Sequence, residues 1–156
     1  MQSIVIPTTN MIRQTDLELI KHLRTGKRKK VTEISKSMNI PVTTLYDRLD
    51  VLDERLGIHH TALVDFGKIG FKSNVHMGFR VGIDCKDDFQ RYLETHPALN
   101  SLYQVDHGFD FLAHMVFKDI DEMKVFLDHV NTNFNLLSIQ VFDVLGEIKK
   151  EVFLTG

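Results

Sequence analysis

Apolar residues recur along this chain at two periods, and the change from one to the other divides it. Leu45, Leu49, Leu52 and Leu56 are spaced by 4, 3 and 4 residues, which places them on one stripe of a helix. Val75, Met77, Phe79, Val81 and Ile83 instead fall on every second position, the mark of a strand with one buried face.

The helical part begins with Thr15-Asp16-Leu17-Glu18. Read as a capping box, it opens a helix at Thr15. Leu17, Ile20 and Leu23 continue that helix and Gly26 is its stop. A second helix is predicted over about residues 32–38, with Ile34 and Met38 inward. Asn39-Ile40-Pro41 supplies a turn, because Asn tolerates turn conformations and Pro41 disfavours a helical Ile40. Two short helices around a tight turn, over residues 31–57, make a helix-turn-helix pattern whose second helix enters the DNA major groove. Thr43 and Thr44 stand in the first turn of that helix, followed by Tyr46, Asp47, Arg48 and Asp50. Two readings stay open: these residues meet base edges, or the leucines are simply core and the threonines a cap.

A short strand is predicted from His59 and His60 to Val64, and a turn-rich hinge from Asp65 to Gly70. Neighbours on a strand face opposite ways, so the two histidines cannot readily chelate one ion. Beyond the hinge the pattern alternates. The strand at Val75 is followed by a helix marked by Phe89, Tyr92 and Leu93 and closed by His96-Pro97. Strands follow over residues 99–106 and across Phe109, Phe111, Ala113, Met115 and Phe117. Asp119-Ile120-Asp121-Glu122 caps a helix with Met123, Phe126, Leu127 and Val130 inward, and residues 136–145 form a last strand. The order is β-α-β-β-α-β, a ferredoxin-like plait. Its helices cover one side of the sheet, and Leu112, Val116, Phe142 and Val144 occupy the other. That apolar set calls for a partner, so a dimer built sheet to sheet is expected.

Composition narrows the picture. An apolar fraction of 43% permits a real core. Net charge is −2, yet residues 1–60 hold ten Lys/Arg against seven Asp/Glu and residues 61–156 hold nine against fourteen. One end is basic and the other acidic. Much of the basic charge is the run Lys27, Arg28, Lys29 and Lys30, which reads either as a solvated turn or as a grip on backbone phosphate. The third helix itself is acidic, with Asp47, Asp50, Asp53 and Glu54 against Arg48 and Arg55. Cys85 is the only cysteine, so no intrachain disulfide or Cys-based zinc site is possible within one chain. With no signal-peptide pattern and no apolar run near the roughly 18–20 residues of a membrane span, the expectation is a cytoplasmic protein without membrane contact. No nucleophile–base pairing, phosphate loop or metal-ligand spacing stands out, and no cofactor is expected. Residues 1–14 have no clear period; Ile4, Val5, Ile6 and Pro7 suggest a short extended arm.

These features together resemble the Lrp/AsnC family of feast-or-famine transcription regulators, over roughly residues 15–150. The resemblance is carried by Thr32-Glu33-Ile34-Ser35-Lys36, by Asp47-Arg48-Leu49 with Leu52, and by the linker from Thr61 through Gly70. Most specific is Val105-Asp106-His107-Gly108-Phe109-Asp110-Phe111, which looks like the family's glycine-containing turn in the effector domain. The resemblance implies an α+β protein with an N-terminal (winged) helix-turn-helix in residues 1–62. It implies a linker strand and hinge in residues 63–73, and a ferredoxin-like domain in residues 74–156 for ligand sensing and assembly. Double-stranded DNA and further copies of the chain (dimer, tetramer or octamer) become the implied partners, and an amino acid or other small molecule the implied effector. Lys27, Arg28, Lys29, Lys30, Thr43, Thr44, Tyr46, Asp47 and Arg48 are then DNA-contact candidates. Asp106, His107, Gly108, Phe109 and Asp110 are effector candidates, the Asp110 carboxylate as acceptor for an ammonium group. Two departures stand out. His107 occupies the place where the family usually has its glycine, and Asp50 and Val51 replace more basic residues. Siroheme decarboxylases resemble these regulators in both domains, and eight histidines keep such an enzyme as the alternative. The chain has no Trp, however, and lacks the Trp-Pro-Tyr-Asn character of their substrate motif.

Overall fold

The computed structural model describes residues 12–24, 30–58 and 61–154. The arm at residues 1–11, Gly26, His59 and His60 lie outside them, as do Lys27, Arg28 and Lys29 of the basic run. The chain divides into two compact units, Met1–Ala62 with Ile148–Gly156, and Leu63–Glu147.

Three helices build the first unit: α1 (Gln14–Arg24), α2 (Val31–Met38) and α3 (Val42–Leu56). Leu19, Ile34, Leu45 and Leu52 are buried together, with Ile20, Val31, Met38, Ile40, Leu49 and Ile58 packed around them. Two details depart from the periodicity. Helix α1 opens one residue early, on the Arg13 carbonyl, which accepts from the amides of Asp16 and Leu17. Thr15 is therefore inside the helix and not its cap, and its hydroxyl accepts a hydrogen bond from Arg48 instead. This shift brings Leu19 to the centre and leaves Leu17 half-buried. At the other end of the leucine stripe Leu56 is exposed, because the small helical core is already closed at Leu52.

The turn between α2 and α3 is held by residues that periodicity does not reveal. Asn39 sits in the left-handed region at φ 52° and donates its amide to the Ser35 carbonyl. Ile40 donates to the same carbonyl, while the Ser35 hydroxyl donates to the Ile40 carbonyl at 2.6 Å. The helix-end carbonyl that would otherwise lack a partner is satisfied within the turn.

The second unit is a four-stranded antiparallel sheet of order β2-β3-β1-β4. Its elements are β1 (Ser73–Val81), α4 (Lys86–Glu94), β2 (Leu99–Gln104), β3 (Phe111–Phe117), α5 (Ile120–Asn133) and β4 (Leu136–Asp143). This is the ferredoxin-like order, and the unit is α+β. Val75, Met77 and Phe79 of β1, Phe111, Ala113, Met115 and Phe117 of β3, and Phe89, Leu93, Phe126 and Val130 of the helices form one core. Asp119 caps α5 as predicted, accepting from the amides of Asp121 and Glu122 at 3.1 and 3.0 Å.

Three expectations fail here for local reasons. Residues 61–65 are not a strand: among the described residues they belong to no ladder, and a strand exists only as one side of one. Ile83 leaves β1 for a 3-10 turn at Ile83–Cys85 and is 82% exposed. The strand stops because the Gly82 amide donates to the Asn135 carbonyl, and the Asn135 side chain occupies the space beside Gly82. Phe109, read as part of β3, belongs to the preceding turn.

Candidate nucleic-acid interface and effector turn

The outer side of α3 follows from its inner one. With Leu45 and Leu52 buried, Thr43, Tyr46, Asp47 and Asp50 are exposed, Tyr46 at 54%. Pro41 precedes the helix, and no side chain caps its first turn. The cap reading of Thr43 and Thr44 thus fails, and Thr44 is half-buried. Arg48 is drawn inward: Nη1 donates to Asp16 Oδ1 at 2.7 Å and to Thr15 Oγ1 at 2.8 Å. Asp16 is buried, so this ion pair fastens α1 to α3. Lys30 is exposed just before α2. No local pattern announces the Asp16–Arg48 pair, whose partners stand 32 positions apart.

The second candidate is the turn joining β2 to β3. The Val105 amide donates to the Asp110 carbonyl at 3.0 Å and closes the loop, and the Asp110 amide donates to the Phe79 carbonyl at 2.8 Å. Asp106, His107 and Gly108 form an exposed tip, with His107 Nδ1 2.9 Å from Asp106 Oδ2. Both His107 and Gly108 are left-handed, at φ 58° and 111°. A glycine adopts that conformation freely, whereas a side chain at His107 strains it. Phe109 folds back over β1. A Cβ added to Gly78 would stand 3.0 Å from the Phe109 ring, so the glycine makes room for the aromatic.

Asp110 also turns into the unit. Its Oδ2 accepts from the Val81 amide at 2.9 Å, and its Oδ1 from Lys86 Nζ at 2.6 Å. The Lys86 hydrogen bond, then the Val81 amide, hold its carboxyl below the usual carboxylate range against the opposing effect of burial. Lys86 lies 5.8 Å above the Phe111 ring as well. The ammonium group expected to meet Asp110 is therefore supplied by the chain itself. Lys86 was missed because it is distant in sequence, and only the arrival of α4 beside β1 brings it to the turn. The five expected effector residues thus separate into an exposed tip and two inward anchors. Among the described residues, no group of three or more His, Cys, Asp or Glu side chains could hold a metal ion. No described helix is long and apolar enough to cross a membrane.

The comparisons with known proteins agree with this architecture. Residues 81–152 match the Lrp/AsnC ligand binding domain. Over 142 residues the chain is 25% identical to an HTH-type transcriptional regulator of Pyrococcus abyssi, covering 90% of this chain and 97% of the relative. A transcriptional regulator of Neisseria meningitidis, solved in complex with L-methionine, superposes with a TM-score of 0.80 at 19% identity, covering 90% of this chain and 94% of that one. AsnC of Escherichia coli superposes with a TM-score of 0.79 at 15% identity, covering 93% and 99%. The second unit is thus similar to the Lrp/AsnC ligand binding domain, and the chain shares the fold of these solved regulators.

Proposed function

We propose that the chain is a sequence-specific DNA-binding regulator whose α2–turn–α3 segment is a helix-turn-helix. The observation that carries this reading is the exposed face of α3, with Thr43, Tyr46 and Asp47 standing away from the leucine core. A recognition helix meets bases with the residues of its first turns. Thr43 and Tyr46 contact base edges in this reading, and Thr44 and Asp47 flank them. Arg48, bound to Asp16, sets the angle between α1 and α3 and reaches phosphate only from that tethered position. Lys27, Arg28, Lys29 and Lys30 grip backbone phosphate, which offsets the acidity of α3.

The plait carries the assembly and sensing functions. Two helices cover one side of its sheet, and the other presents Leu112 and Phe142, the latter 45% exposed. A second copy packs against this side and gives two reading heads for two half-sites. The tip at Asp106, His107 and Gly108 is the effector-facing part of the turn. Phe109 and Asp110 hold it in place. The methionine-bound relative supports an amino acid as the effector class.

Footprinting on genomic DNA, with and without a panel of amino acids, tests the proposal. Protected sites one helical turn or a multiple apart, altered by one amino acid, are the expected result. No protected site at low salt would remove the DNA-binding reading.

A further inference from the structure

Strands β1 and β3 stop pairing at Phe79 and Phe111, and one residue carries the contact past that point. The Asp110 amide donates to the Phe79 carbonyl, and Asp110 Oδ2 accepts from the Val81 amide at 2.9 Å. A side-chain oxygen thus does for Val81 what a further strand carbonyl would do. Strand β1 is irregular at the same level, with a register shift against β4 between Arg80 and Val81. The root of the effector turn therefore rests on this carboxylate. Its other oxygen, Oδ1, accepts from Lys86 Nζ at 2.6 Å.

Lys86 is oddly placed for a helix residue. It opens α4, where the helix dipole favours negative charge. Asp87 and Asp88 beside it follow that rule. A lysine there gains nothing from its own helix, so its place answers to the turn. The Lys86 side chain is 27% exposed and that of Asp110 23%. Partly withdrawn from water, a charge-assisted hydrogen bond holds more firmly than at the surface. The turn is gripped from two sides: Phe109 lies over Gly78, and Lys86 stands 5.8 Å above the Phe111 ring on the helix-covered side. Arg80, the other cation whose field reaches Asp110, is exposed.

For an amino acid bound at this turn, Lys86 has two roles of opposite sign open to it. It competes with the ligand ammonium for Asp110, or it holds Asp110 in place while the ligand meets the tip. Both Asp110 oxygens are engaged within the unit. Recruiting them to a ligand would strand the Val81 amide or leave Lys86 beside a helix N-terminus without its carboxylate. We infer that Lys86 is a positioning residue for the effector turn, fixing Asp110 against β1 so that the tip at Asp106, His107 and Gly108, and not Asp110, meets the effector. The inference rests on the effector reading proposed above.

Calorimetric titration of the full chain with L-methionine, then with the rest of the amino-acid panel, tests it in the wild type, Lys86→Met and Lys86→Arg. Methionine keeps an unbranched stem without the charge, and arginine keeps the charge and the donors. Binding is expected to weaken about tenfold or more in Lys86→Met and to be restored in Lys86→Arg. Nuclear magnetic resonance adds a readout of position. In the wild type, saturating ligand should shift the amides of residues 106–108 and leave the Asp110 carboxyl signal in place. Without ligand, the Asp110 carboxyl should titrate at higher pH in Lys86→Met than in the wild type or Lys86→Arg, and the Val81 amide should exchange faster. Tighter binding by Lys86→Met would make Lys86 a competitor of the ligand and overturn the inference. Equal binding, an Asp110 signal that moves with ligand as far as the tip amides, or an arginine variant as weak as the methionine one would also overturn it. A wild type that binds none of the panel removes the effector reading and the inference with it, and an Asp110 titration that still responds to Lys86→Met then leaves the pair as an anchor of the fold alone.

Discussion

The two units solve the same problem with unequal means. The plait buries four phenylalanines completely (Phe79, Phe89, Phe111 and Phe117), and its aromatic contacts run from β1 through both helices. Among the described residues, the helical unit buries Leu19, Ile34, Leu45 and Leu52, with half-buried apolar residues around them. A small core leaves little margin, since burial on folding rises with size. The helical unit adds polar fastenings: Arg48 to Asp16 and Thr15 between α3 and α1, and Arg24 to Glu151 and the Phe153 carbonyl at 2.8 Å each. In the plait, by contrast, polar groups gather at the turn and on the open sheet face, away from the core. One unit ties its helices together with ion pairs; the other carries its polar groups at its edges.

That difference is breakable. Phe89 touches Phe79, Phe111 and Phe134, so Phe89→Ala should cost about 3–5 kcal/mol. Hydrogen exchange should show the loss across β1, β3 and α4, with protection in α3 retained. Equal loss in both units would show that they unfold together. Asp16→Ala reverses the test. It leaves Arg48 without its carboxylate and should cost about 1–3 kcal/mol, read as lost protection in α1 and α3 only. Should Asp16→Ala leave those amides unchanged, the fastening is ornamental.

Within the plait, Asp110→Asn should weaken the turn by about 1–2 kcal/mol through the Lys86 and Val81 bonds. The pH dependence has a definite sign. A carboxylate held below its ordinary value of about 3.9 stabilises the fold above that value, and the contribution is lost as pH falls through the lower, folded value. The wild-type chain should therefore lose plait stability in acid below that point, and Asp110→Asn should flatten this part of the curve in denaturant titrations. A curve of the same slope in both would move the effect elsewhere. The smallest change is a gain. His107→Gly relieves a left-handed side chain and should raise stability by about 0.5–1 kcal/mol, measured as a higher denaturant midpoint. A lower midpoint would mean that the His107–Asp106 contact outweighs the strain.

The legible parts of this chain were those written in local periodicity. Strand β1, helices α3 and α5 and the order of the plait follow from apolar spacing, because alternate or 3–4 spacing reports which side is buried. What depended on distant partners was not legible. Thr15 reads as a cap until Arg48 reaches it from 33 positions away. Nothing beside Asp110 in the sequence announces Lys86, which arrives with α4. The open sheet face reads as apolar from Leu112, Val116, Phe142 and Val144, yet its centre is a stacked histidine pair held by two asparagines. Polar residues carry no period, so their pairing appears only when the fold has placed them.

Whether the outer side of α3 reads DNA is decided by a salt-titrated mobility shift. A footprinted site and an unrelated duplex are bound by the wild type and by Thr43→Ala/Tyr46→Ala, whose circular dichroism melts should coincide because both side chains are outside the core. Wild-type binding should fall steeply with salt, and the variant should lose about tenfold on the specific site, some 1.4 kcal/mol, while binding the unrelated duplex as before. A variant that prefers its site as strongly as the wild type, or a wild type that binds neither duplex at low salt, would contradict that reading.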